Sequence, residues 1–215
     1  DLRISNQYNF VEPNVIRELD THILASSEAV IVSGANTATV NDPYAYLQWH
    51  MDTMQVTQMG HDSQGDNIVV AVLDTGVSLD GLDTPTNMLV GYDFIDNDDN
   101  PSDFHGHGTH VAGTIAQATN NNVGLRGVAP NCTIMPIKVL DDDGFGGSHS
   151  IANGITYAVD NGADIINLSL VSSQSTAIES SAIAYALAND VLVVAATGND
   201  GLPNTVHYPA AYEGV

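Results

Sequence analysis

From residue 68 onward the chain alternates between short apolar runs and amphipathic stretches. Residues 68–73 (IVVAVL) form a β-branched apolar run that ends at Asp74-Thr75-Gly76, the pattern of a buried strand and its turn. Residues 88–94 (MLVGYDF), 134–140 (IMPIKVL), 163–170 (ADIINLSL) and 191–197 (VLVVAAT) predict further strands. Between them, Val111, Ile115 and Ala118 give residues 107–118 helical spacing, and helices are predicted over 148–161 and 176–190. Nearly continuous apolar strands alternating with helices predict an α/β fold, a mostly parallel sheet with helices on both faces. Sites in such sheets form outside the carboxyl ends of the strands. Asp74 and Asn199 each follow a predicted strand there, and His107 opens a helix. Residues 1–40 lack a clear period, so the chain divides into 1–40 and one domain over 41–215.

Composition narrows the choices. Four basic residues face 26 acidic ones, a net charge of −22. That balance excludes nucleic acid and anionic membrane surfaces as partners, because both need clustered Lys and Arg. No apolar run is long enough for a transmembrane helix, and a single cysteine, Cys132, permits no internal disulfide. Only five of the acids are Glu; Asp and Asn gather in turn-like segments, which suits oxygen-rich metal loops.

Three motifs carry candidate chemistry. Asp74-Thr75-Gly76 alone is a weak signal, equally a turn aspartate or half of an aspartic-protease pair, although no second such tripeptide occurs. His105, His107 and His110 fall within six residues; they suit zinc, local hydrogen bonding at a helix start, or an exposed general base. The zinc reading lacks the HExxH arrangement. Asn199 closes AATGN at 195–199, as a turn former or as a donor to an oxyanion.

Together the segments NDPYAYLQWHMD (41–52), VVAVLDTGV (69–77), HGHGTHVAGTIA (105–116), GLRGVAP (124–130), NGITYAVDNGADIINLSL (153–170) and VLVVAATGN (191–199) resemble the subtilisin-like serine peptidases, and within them the calcium-dependent thermitase-like branch. The resemblance implies a secreted endopeptidase that cleaves polypeptide by acyl transfer. It assigns Asp74 to orient the histidine, His107 to act as base and acid, and Asn199 to hold the oxyanion. It places the substrate between Gly144, Phe145 and Gly146 on one wall and Ser169, Leu170 and Val171 on the other. It implies Ca²⁺ at Asp42, Asp83 and Asn121 with the carbonyls of Ala118, Val123 and Leu125, and a second ion at Asp93, Asp96, Asp98 and Asn100. YNFVEPNVI (8–16) is similar to the last strand of the family's inhibitory propeptide, which puts the maturation junction between about 21 and 41. The complete enzyme is expected to be a monomer.

Two departures stand beside these matches. The family's GTSMA-type nucleophile motif does not occur, and none of the serines has flanks that would expose an activated hydroxyl. The nucleophile is therefore expected outside this chain, and the chain alone is expected to be inactive. Val171 stands where the family has a glycine, so it is expected to crowd that wall of the cleft or force it outward. The alternative from another class is a calcium-binding fragment or pseudoenzyme that binds peptide or a partner without turnover.

Overall fold

The computed structural model describes residues 16–18, 40–56, 64–202 and 205–215. The expected propeptide strand at 8–16 and the junction at 21–41 lie almost wholly outside them. In chain order the elements are β1 (Ile16–Glu18), a 3₁₀ turn (Ala45–Leu47), α1 (Trp49–Thr53), β2 (Val69–Asp74), β3 (Asn87–Met88), β4 (Tyr92–Asp93) and α2 (His107–Ala116). There follow β5 (Thr133–Lys138), β6 (Phe145–Gly147), α3 (Ser148–Asp160), β7 (Ile165–Leu168), α4 (Ala177–Ala188) and β8 (Leu192–Ala195).

The main sheet runs β3-β5-β2-β7-β8, with β4 also on β5, and every pairing in it is parallel. The expected run at 88–94 is two strands and not one. Between the pairs Met88–Ile134 and Tyr92–Ile137, three residues face Met135 and Pro136. Pro136 has no N–H to continue a ladder, so the edge strand breaks opposite it.

Alternation along β2 sends its side chains to both faces. Ala71 and Leu73 join Met135, Ile137, Ile166 and Leu168 beneath α3 and α4. Val70 and Val72 join Ile134 against Ala112 and Ala116 of α2. This double covering explains why the strands read as unbroken apolar runs. β8 is the exception: Val193 is buried, but Leu192 and Val194 are 54% and 45% exposed. None of the described helices is long and apolar enough to cross a membrane.

A second, two-stranded sheet lies apart from the first. β1 pairs antiparallel with β6, Arg17 opposite Gly146 and Glu18 opposite Phe145.

Candidate active site

Asp74 ends the central strand with its side chain fully buried. Its Oδ1 accepts from the Thr75 N–H at 2.7 Å and meets His107 Nδ1 at 2.8 Å. A carboxylate only accepts, so the Nδ1 proton belongs to this bond and Nε2 is left as the basic nitrogen. His107 is the first residue of α2, its side chain 31% exposed. Two glycines make that placement possible. Gly106 caps the helix at φ +97°, and a Cβ on Gly108 would sit 2.1 Å from the Gly76 carbonyl oxygen. Small residues here do let the helix press against the end of β2.

Residues that the sequence did not single out hold this pair. Asp103 Oδ1 accepts from the His105 and Gly106 N–H groups and the Thr75 hydroxyl, each at 2.9 Å. Its Oδ2 accepts from the Thr109 N–H at 2.9 Å and hydroxyl at 2.6 Å. Thr75 Oγ1 in turn accepts from the Gly108 N–H at 3.0 Å. The carboxylate thus gathers donors of the first turn of α2, the usual work of a polar cap. An Asp shortly before a helix-opening histidine was the available signal. Beneath them, Lys138 Nζ donates to the Thr75 carbonyl at 2.8 Å.

The electrostatics follow from the contacts. The His107 pKa is raised, chiefly by the hydrogen bond to Asp74; burial opposes this, and the charges of Asp74 and Asp103 add to it. Burial pushes Asp103 upward, but the hydrogen bonds from Thr109, Gly106 and Thr75 outweigh it and leave its pKa lowered.

The other expected residues fall at the same edge of the sheet. Leu73, Leu168 and Ala195 share one row across β2, β7 and β8. Asp74 and Ser169 lie one residue past that row and Asn199 four, all at carboxyl ends. At ~4.8 Å between neighbours, β2 and β8 are about 10 Å apart. Ser169 Oγ accepts from the Asn167 carboxamide at 2.9 Å. Leu170 and Val171 are 0% and 7% exposed. On the opposite side, Gly144 sits in a turn closed by its N–H to the Asp141 carbonyl at 3.0 Å, and Phe145 and Gly146 open β6.

The two expected calcium loops differ. Asp42, 5% exposed, accepts from the N–H groups of Asn120 and Asn121 at 2.9 and 3.1 Å. Asp83 accepts from the Asn121 carboxamide at 2.8 Å, the Leu125 N–H at 3.2 Å and the Gln117 carboxamide. One loop thus draws both carboxylates and Asn121 together, and neither is ion-paired among the described residues. At the other loop the carboxylates also accept from neighbouring N–H groups. Asp93 accepts from the N–H groups of Ile95 and Asp96 at 2.6 and 3.0 Å, and Asp98 from that of Asn100 at 2.9 Å. Among the described residues no three His, Cys, Asp or Glu side chains gather as a metal group. That leaves the zinc reading of the three histidines without a site.

The sheet edge thus carries a buried aspartate bonded to a helix-opening imidazole, and the chain belongs to the Subtilase family, which it matches over residues 65–215. It is 42% identical to thermitase of Thermoactinomyces vulgaris over 81% of this chain and 62% of that protein. It is 37% identical to alkaline elastase YaB of a Bacillus species over 97% of this chain and 57% of that protein. A solved protease of Pseudoalteromonas arctica superposes with a TM-score of 0.77 at 34% identity, covering 83% of this chain and 64% of the other. The chain therefore spans about three fifths of the length of these relatives.

Proposed function

We propose that this chain forms part of a secreted, calcium-dependent serine endopeptidase. The observation that carries the reading is the 2.8 Å contact between His107 Nδ1 and the buried Asp74. Asp74 holds the imidazole in the tautomer whose Nε2 can accept a proton. In acyl transfer Nε2 takes the proton of an attacking serine hydroxyl and later delivers it to the leaving amine, while Asp74 stabilises the intervening imidazolium. The Asn199 carboxamide is assigned to the developing oxyanion. The serine is supplied by sequence outside these 215 residues.

Peptide lies extended along β6, at Gly144, Phe145 and Gly146, with Ser169, Leu170 and Val171 opposite through their backbone. The antiparallel addition of β1 to β6 supports that wall, since it shows the edge accepting a strand. It also supports the assignment of residues 1–40 to a propeptide tail that blocks the cleft before maturation. Asp42, Asp83 and Asn121, with carbonyls of Ala118, Val123 and Leu125, would hold Ca²⁺; two carboxylates and a carboxamide without an ion pair are a hard oxygen set that fits it.

The test uses the protein extended through the region its relatives possess. A fluorophosphonate should label one serine outside residues 1–215, and His107→Ala should abolish labelling and lower kcat/KM by about 10³-fold or more. The 215-residue chain alone should show neither labelling nor turnover. Labelling of a serine within residues 1–215 would overturn the assignment.

A further inference from the structure

Arg17 is one of only four basic residues, and its side chain is fully buried. Its Nε donates to Glu179 Oε1 at 2.7 Å, its second terminal nitrogen pairs with Glu179 Oε2, and its first donates to the Gln174 carbonyl at 2.7 Å. The three donors thus meet three fixed acceptors, across 162 positions of sequence from the carboxylate.

The pocket is constructed from the far side. Glu179 lies in the first turn of α4 with its side chain 1% exposed. Thr176 caps that helix, and Tyr212 Oη lies 3.3 Å from Glu179 Oε2 while accepting from the Thr176 N–H at 2.7 Å. Among the described residues the ion pairs of Glu179 are with Arg17 alone.

Arg17 reaches this pocket from a strand that is added to β6 by backbone pairing. Strand addition supplies affinity through the main chain and selectivity through the pockets that receive alternate side chains. We infer that Glu179 is a specificity-determining residue. It makes the pocket filled by Arg17 a subsite for arginine, entered by whichever substrate residue lies opposite Gly146. This rests on the reading of β6 as the substrate wall. An apolar residue in the pocket would leave a buried carboxylate unpaired. A lysine would offer one ammonium where a planar fork meets two carboxylate oxygens and a carbonyl.

The test is a positional-scanning peptide library on the extended, matured protein. One position should favour arginine over norleucine by at least about 30-fold in kcat/KM, with lysine between them. Glu179→Gln, which keeps the side chain's shape, should shrink that preference to a few-fold while the norleucine peptides are still cut. The arginine-to-norleucine comparison needs no variant, so it stands even if Glu179→Gln fails to fold. An active enzyme without an arginine-selective position, or a Glu179→Gln enzyme with the preference intact, would overturn the inference. If no peptide is cut, the peptidase reading fails and binding decides the pocket. A fluorescein-labelled peptide of residues 13–20 should then bind the protein lacking residues 1–40 at least about 30-fold more tightly than its norleucine counterpart, and equal binding would overturn the inference.

Discussion

At the scale of single residues, charge is concentrated behind His107. Its folded pKa is raised, so the stability it contributes is full below the unfolded value near ~6.5 and is lost as pH rises through the folded value. The stability difference between wild type and His107→Ala should therefore shrink from about pH 5 to about pH 9 in urea titrations. A difference that grows with pH would contradict the assigned pairing. Asp103 acts on the same nitrogen from a distance. Asp103→Asn should lower the His107 pKa measured by NMR, and with it the acid limb of the pH–rate profile of the extended enzyme. An unmoved imidazole would leave Asp103 with a purely structural role. Burial pushes the Cys132 thiol up to about 11. The native protein should thus resist alkylation at neutral pH and react only once unfolded.

At the scale of elements, the end of β2 and the start of α2 tolerate little change. A Cβ on Gly108 would lie 2.1 Å from a backbone oxygen and 3.0 Å from the Asp74 Cβ. Gly108→Ala should therefore destabilise by ~1–3 kcal/mol and lengthen the His107–Asp74 contact, which denaturant melts and the imidazole pKa would report. An unchanged melt and pKa would show that α2 can move aside freely. Asp74, His107 and the flanking glycines were legible because strand period, turn and helix start are written in neighbouring residues. The same locality explains what was missed. Glu179 gave no signal in the sequence, since its partner Arg17 lies 162 positions away. The break between β3 and β4 depends on a proline in the neighbouring strand.

At the scale of the whole molecule, a net charge of −22 on a chain without a disulfide has to be tolerated by the folded state. Self-repulsion opposes compaction, and bound cations relieve it. Asp42 and Asp83 sharpen the problem. They arise 41 residues apart and are drawn to one loop, Asp42 nearly buried, with only N–H donors to balance them among the described residues. Amide donors lower the energy of a carboxylate but leave its charge in place; a divalent ion would cancel both charges together. Such an ion stabilises only the folded chain, by about 2.7 kcal/mol at a hundredfold excess over its Kd. EGTA should therefore lower Tm by several degrees, and added Ca²⁺ should restore it. Asp42→Asn should reduce that response, because it removes one of the two charges drawn to this loop. A Tm indifferent to EGTA would remove calcium from this protein, and a full response retained in Asp42→Asn would move the ion away from Asp42 and Asp83.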